Sequence, residues 1–134
     1  MKYLVDTCVW SLALRRKPTA VLSPDEQRMV ELLAEAIRDG QVVMVGPIRQ
    51  EILSGIEAPG RFEQLRLALA AFPDEPLDCG NYEEAARLSN LCRGRGVHSG
   101  AIDILLCAVA HRRSWTILTN DQGLMRCFEM LQTL

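Results

Sequence analysis

Four carboxylates lie where apolar segments of the chain begin or end. Asp6 and Asp121 each come shortly after a short apolar run. Glu51 lies one turn into a segment that opens with Gly-Pro, and Asp103 opens a long apolar run. Carboxylates in such positions are costly unless a cation lies among them, and the obvious candidate is a divalent metal ion. A metal held by carboxylates and water is typical of phosphodiester hydrolysis.

Each acid also has a purely structural explanation. Asp6 is a favoured residue type for a helix N-cap, and Asp103 would interact favourably with the dipole of a helix that it opens. Glu51 could simply face solvent, as most glutamates do, and Asp121 lies in a Thr-Asn-Asp-Gln-Gly sequence typical of a turn. Four such placements at mutually compatible points favour one shared site over four separate coincidences.

The elements that must position these acids alternate between strand and helix. Ser23-Pro24-Asp25-Glu26 predicts a helix start, because Ser is a preferred N-cap and Pro a preferred first helical residue. Gly40 predicts the end of that helix. Short apolar runs predict strands at 3–5, 42–45, near Leu77, at 116–118 and, as an edge strand, at 130–134.

Strands separated by helices predict an α/β fold with three layers, α/β/α, around a central parallel sheet of four to five strands. We expect one domain over residues 1–134. Ligands of an open parallel sheet gather beyond the carboxyl ends of its strands. Asp6 and Asp121 lie at such ends, Glu51 follows the second strand closely, and Asp103 begins a buried helix, so one pocket can collect all four.

Composition limits the cell compartment and the kinds of partner that we expect for this chain. The chain has 134 residues, of which 49% are hydrophobic and 24% charged, and its net charge is −2. No apolar run reaches the ~18 residues of a membrane span, and acidic and basic residues interrupt the N-terminal apolar stretch, so we expect no signal peptide and no membrane contact. The five cysteines are scattered without C-x-x-C spacing, which favours a reduced, cytoplasmic protein over a zinc or disulfide scaffold.

Other polar residues are candidates for supporting roles. Thr7 and Thr119 adjoin or lie near the acids and could hydrogen-bond the carboxylates, although Thr is also common at strand ends. Thirteen of the fifteen basic residues are arginine, whose planar fork suits phosphate oxygens. The candidates for contact with phosphates fall in two clusters, Arg15 and Arg16, and Arg93 and Arg95 in a predicted Gly-rich loop, although charged clusters in loops are more often simply solvated.

At these acids the chain resembles the PIN-domain family. The resemblance is carried by Leu-Val-Asp-Thr at 4–7, Glu-Ile-Leu-Ser-Gly at 51–55, Asp103 within an apolar helix, and Leu-Thr-Asn-Asp at 118–121. The length is similar to that of the VapC toxins of toxin–antitoxin systems. The resemblance implies an Mg²⁺- or Mn²⁺-dependent endoribonuclease that forms a homodimer and is inhibited by a small VapB-like antitoxin. Any contact with DNA would be indirect, through the antitoxin.

In this interpretation the four acids are catalytic. Asp6, Asp103 and Asp121 would hold a hard cation, and Glu51 would orient water or complete the shell. One alternative is a PIN-like module that binds RNA or a protein with little cleavage. Another is phosphoryl transfer through Asp6 as nucleophile, which usually requires a second acid where Cys8 stands.

The chain departs from the family pattern at two positions. Many members carry a further acid where this chain has Gly123, which leaves open whether one or two metal ions bind. Cys8 stands where the family often has Asn, so we expect a polar contact to the acids to be lost there.

Overall fold

The computed structural model describes residues 1–15, Thr19 and residues 21–133. Within these ranges the chain alternates strands and helices in this order: β1 (Tyr3–Val5), α1 (Thr7–Leu14), α2 (Pro24–Arg38), β2 (Val42–Val43), α3 (Gly46–Leu53), α4 (Pro59–Leu69), α5 (Cys79–Gly94), α6 (Ala101–Arg112), β3 (Thr116–Leu118) and α7 (Gln122–Gln132).

The sheet is parallel and has the order β2-β1-β3. Central β1 pairs Leu4 with Val43 on one side and with Ile117 on the other. The predicted α/β class with helices around a parallel sheet is confirmed. The sheet is smaller than expected, because the described residues form three strands rather than four to five. An isolated parallel bridge between Met44 and Asp74 extends the β2 edge by one residue pair.

Three local predictions were wrong. The expected edge strand at 130–134 is the end of helix α7 as far as Gln132, and Leu134 lies outside the described residues. The segment around Leu77 forms no strand and leads directly into α5. The expected Gly-rich loop begins later than predicted, because Arg93 and Gly94 still belong to α5 and Arg95 caps it.

The predicted start of α2 is confirmed in detail. Ser23 is the N-cap, and its hydroxyl accepts a hydrogen bond from the Glu26 backbone at 3.1 Å. The Glu26 carboxylate in turn accepts one from the Ser23 backbone at 2.9 Å, which completes a capping box. Gly40, with φ +64°, reverses the chain into β2.

The core lies between the sheet and two groups of helices. Leu4 and Val5 of β1 are fully buried, and α6 is buried from Ile104 to Ala110. Helix α1 packs against α2 and α3, and α3 packs against α4, whereas α5 and α7 pack against α6. No helix in the described ranges is both long enough and apolar enough to cross a bilayer.

We predict that Gly40→Ala lowers the free energy of unfolding by about 1 kcal/mol, because an L side chain is strained at positive φ. Gly94→Ala, at the last helical residue of α5, is the matched control and should be neutral or stabilising. A Cβ at either position meets nothing within 4 Å, so only the backbone conformation differs. Urea unfolding of both variants measures the difference, and equal effects would contradict the prediction.

Candidate functional site

The topology brings four acids to one edge of the sheet. Asp6 follows β1 and caps α1, and Asp121 follows β3 and caps α7. Glu51 lies in α3, the helix that follows β2. Helix α6 precedes β3 and returns to it through a short turn, so Asp103 in its first turn lies at the carboxyl end of the strands. The sequence expectation placed all four acids at this edge.

Asp6 is buried and both of its carboxylate oxygens accept hydrogen bonds. The Thr7 backbone N–H donates to Oδ1 at 2.8 Å. The Thr119 hydroxyl donates to Oδ2 at 2.8 Å, across the β1–β3 pair. These donors fix the orientation of the carboxylate. Asp6 is therefore at once a helix cap and a positioned carboxylate, so its structural and functional explanations do not exclude each other.

Thr119 connects two of the acids. Its hydroxyl oxygen, which donates to Asp6, also accepts a hydrogen bond from the Asp121 backbone N–H at 3.0 Å. The Asp121 carboxylate caps α7 by accepting from the Leu124 backbone at 3.1 Å. One buried hydroxyl thus fixes the segment that carries Asp121 relative to Asp6. Thr7 has a different environment, because its buried hydroxyl has no hydrogen-bond partner in the described residues.

Cys8 keeps a polar contact that we expected to be lost. Its thiol donates to Asp6 Oδ2 at 3.3 Å and lies 3.4 Å from the Thr119 hydroxyl. Burial raises the pKa of the Cys8 thiol, which keeps it protonated and able to donate. The expectation was wrong because a thiol in the first turn of α1 still reaches the Asp6 carboxylate.

Arg49 holds the helix that carries Glu51. Its guanidinium pairs with Asp74 at 2.9 Å and donates to the backbone carbonyls of Leu69, at 3.0 Å, and Phe72. These contacts tie α3 to the end of α4 and to the turn after it. Sequence reasoning missed Arg49, since its partners lie 20 to 25 residues away in the chain.

The pKa of Asp103 reflects its burial and the repulsion from the other clustered acids. This pKa is raised, first by burial and then by repulsion from Asp6, Asp121 and Glu51. The repulsion indicates that each of the other three carboxylates lies close enough to act on Asp103. The N-terminal end of α6 favours a negative charge, but it does not offset burial and three like charges.

The residues fit a hard divalent cation by their chemistry. The ion pairs of the described residues engage other acids: Asp74, Glu63, Glu84, Asp78 and Glu75. The four clustered acids therefore have no basic counter-charge in this part of the chain. The orphaned Thr7 hydroxyl beside Asp6 adds an unsatisfied oxygen of the kind that binds water or a hydrated ion.

The described residues contain no ready-made cage. In the ranges that the structure covers, no three His, Cys, Asp or Glu side chains are arranged to hold a metal ion directly. Two of the four carboxylates, those of Asp6 and Asp121, accept hydrogen bonds from backbone N–H groups at helix starts. Mg²⁺ keeps several waters and needs few direct protein ligands, so the arrangement suits that ion better than zinc.

The predicted arginines differ in their relation to the acids. Ion pairing of Arg112 with Asp78 shows that α5 and α6 run antiparallel, so exposed Arg93 and Arg95 at the end of α5 lie toward the Asp103 end of α6. Arg15 is exposed at the far end of α1, about 12 Å from its start. Arg16 lies outside the described residues.

The comparisons with known proteins follow this geometry. A family model described as PIN domain matches residues 3–127. The chain belongs to the PIN domain family. PIN domains are generally nucleases, and membership supports a hydrolase that acts on nucleic acid.

A solved structure, titled Crystal Structure of FitAcB from Neisseria gonorrhoeae, contains a similar chain. Its TM-score is 0.73 at 21% sequence identity, and the match covers 95% of this chain and 93% of that chain. At this identity the similarity supports the PIN fold. No curated protein matches this chain.

Gly123 lies directly beside the Asp121 carboxylate. A Cβ at this position would lie 3.2 Å from Asp121 Oδ1, so even a small side chain would crowd that carboxylate. The glycine thus leaves Asp121 free on that side and supplies no fifth acid.

We predict that Asp103→Asn raises the melting temperature in EDTA, because the variant removes a charge that burial and repulsion disfavour. A raised folded-state pKa means that the folded state binds the proton more tightly than the unfolded state. The wild type is therefore penalised as pH rises from about 4, the ordinary value for Asp, through the folded-state pKa. The difference in melting temperature between Asp103→Asn and wild type should therefore increase over this pH range and be small at lower pH.

Asp74→Asn is the matched control, since that acid forms an ion pair with Arg49. It should melt below the wild type at pH 7. A lower melting temperature for Asp103→Asn at neutral pH would mean that the carboxylate is stabilised in the fold, against this account.

Proposed function

We propose that this PIN domain is an Mg²⁺- or Mn²⁺-dependent endoribonuclease and the toxin of a toxin–antitoxin pair. The observation that carries the proposal is the group of four carboxylates around Asp103 without an ion-pair partner in the described residues. A site that only stabilised the fold would gain from a basic residue there. RNA as the substrate and the VapC-like role rest on the family resemblance.

Asp6, Asp103 and Asp121 are the residues that would hold the cation. Thr119 and the Thr7 backbone fix Asp6, and Thr119 also fixes the segment of Asp121, so both carboxylates are positioned before any ligand binds. When bound, the ion lowers the pKa of water and offsets the negative charge that builds on the phosphate.

Glu51 would act on the attacking water. It is exposed, on a helix that Arg49 holds in place, and the described residues give it no ion pair. Its carboxylate can accept a hydrogen bond from water and so orient the nucleophile toward phosphorus. Arg93 and Arg95 are the phosphate contacts that we propose, because they offer positive charge beside an acidic pocket that would otherwise repel RNA.

The proposed partners follow from the same hypothesis. A small VapB-like antitoxin would block the acids, and the toxin would act on RNA in the cytoplasm. A homodimer is proposed from the resemblance and from exposed apolar side chains such as Leu67 and Tyr82. Light scattering at micromolar concentration tests it, and a single 15.0 kDa species would contradict it.

We predict that Asp6→Asn, Asp103→Asn and Asp121→Asn each reduce RNA cleavage about a hundredfold or more while the far-UV circular dichroism is kept. Asn preserves the shape of the side chain and removes the charge that holds the ion. Asp39→Asn, at an exposed acid after α2, is the control and should cleave like wild type. Cleavage is followed on a generic RNA with a fluorescent end label.

EDTA should stop the wild-type reaction, and added Mg²⁺ or Mn²⁺ should restore it. Full activity in EDTA, or an unchanged rate in Asp103→Asn, would contradict the metal-nuclease hypothesis. Binding of the same RNA without cleavage under any of these metals would favour the alternative, a PIN-like binding module, for which Gly123 is the supporting feature.

We predict that millimolar Mg²⁺ or Mn²⁺ raises the melting temperature of the wild type, because an ion that binds only the folded state stabilises it. The gain is about 2.7 kcal/mol when the ion is at ~100 times its dissociation constant. Sodium at matched ionic strength should act more weakly. Asp103→Asn should lose most of this shift and Asp39→Asn should keep it, whereas equal shifts in both variants would place the ion elsewhere.

A further inference from the structure

A small cavity borders the acidic cluster. Its volume is about 290 Å³, and it is lined by residues of α3 and its cap and by one residue of α6: Pro47, Gln50, Glu51, Ser54 and Ile102. Glu51 is both a wall of this cavity and one of the acids that act on Asp103. The cavity therefore shares Glu51 with the candidate site.

The walls combine apolar surface with one available amide. Ile102, next to Asp103 in the chain, is 42% exposed although it is a large apolar side chain. Pro47 adds a second apolar surface. The Ser54 hydroxyl is occupied, since it donates to the Gln50 carbonyl at 2.7 Å. The Gln50 side-chain amide makes no hydrogen bond to the described residues, so its donor and acceptor are available to a ligand.

We propose that this cavity receives one unpaired base of the RNA, next to the phosphate that is cut. The inference rests on the proposed function and names a specificity-determining part of the same site. A base has flat apolar faces and a polar edge, which match Ile102 and Pro47 on one hand and Gln50 on the other. The Glu51 wall repels a phosphate but tolerates an uncharged base.

The size of the cavity suits a single base better than a segment of a partner protein. The cavity lies near the lower end of the ~300–1,000 Å³ that small-ligand pockets occupy. A stable protein contact needs about 800 Å² of surface on each partner, far more than five side chains offer. A base that enters this cavity also keeps its own phosphate near the acids, because Glu51 lines the cavity and acts on Asp103.

A cycle of protein and RNA changes tests the proposal. The cut site is first mapped on a mixed RNA pool, and an oligonucleotide with that site is made intact and with each flanking base removed. The proteins are wild type, Ile102→Ala and the control Ile37→Ala. Ile37 is also 42% exposed, but it lines a different cavity on α2.

The losses in kcat/KM from removal of the base and from Ile102→Ala should not be additive. Removal of one particular flanking base should lower kcat/KM about tenfold for wild type and for Ile37→Ala. Ile102→Ala should lose about tenfold on the intact RNA and nothing further on the RNA that lacks this base. Gln50→Ala, at an exposed position, is a second variant and should reduce the preference among the four bases at that position.

Several outcomes would overturn the proposal while the nuclease function stands. These are additive losses, no loss from base removal at any flanking position, or equal rates for Ile102→Ala and Ile37→Ala. A change of mass by light scattering in Ile102→Ala alone would assign the cavity to a second copy of the chain.

Failure of the proposed function gives a different result. It would appear as no cleavage of any RNA by wild type with Mg²⁺ or Mn²⁺. Fluorescence anisotropy in EDTA, with a short single-stranded RNA made intact and with each single base removed, then reports on the cavity alone. Weaker binding of intact RNA by Ile102→Ala, with equal binding of an RNA that lacks one particular base, supports the proposal, and equal binding of all these RNAs by all proteins overturns it.

Discussion

Asp103 lies half-buried beside Asp6, Asp121 and Glu51, and the described residues supply none of these four carboxylates with an ion-pair partner. Like charges held together in a partly dry environment oppose folding, so the rest of the structure must keep them in place. Their repulsion can be relieved by protonation or by a bound cation. The second possibility links the strain of the fold to its proposed chemistry, because the ion that relieves the repulsion would also act on the phosphate.

The fold holds the acids with hydrogen bonds rather than with charges. Backbone N–H groups at helix starts and the Thr119 hydroxyl position Asp6 and Asp121, while Arg49 fixes the helix of Glu51 from outside the cluster. Donors of this kind fix a carboxylate and leave its negative charge in place, whereas an arginine inside the cluster would neutralise it. The PIN domain thus retains repulsion among carboxylates at the edge of a small parallel sheet, and such locally unfavourable interactions are common at functional sites.

Much of the scaffold could be predicted from local sequence. The Ser23 cap and the apolar runs of β1 and β3 depend on neighbouring residues, which a sequence displays directly. The C-terminal strand was predicted wrongly because Met130 to Leu134 was considered without the helical spacing that begins at Leu124, where Leu124, Cys127 and Leu131 are buried. The hydrogen bonds of Thr119 to Asp6 and of Arg49 to the end of α4 depend on strand register and helix packing, which no local pattern contains.

The central claim is that a divalent cation completes the cluster. The most direct measurement is an anomalous difference map from crystals grown in Mn²⁺, recorded for wild type and for Asp103→Asn. The account predicts a strong peak among Asp6, Asp103 and Asp121 in the wild type and its loss in the variant. A map without a peak at these residues in millimolar Mn²⁺, or a peak that persists in Asp103→Asn, would contradict it.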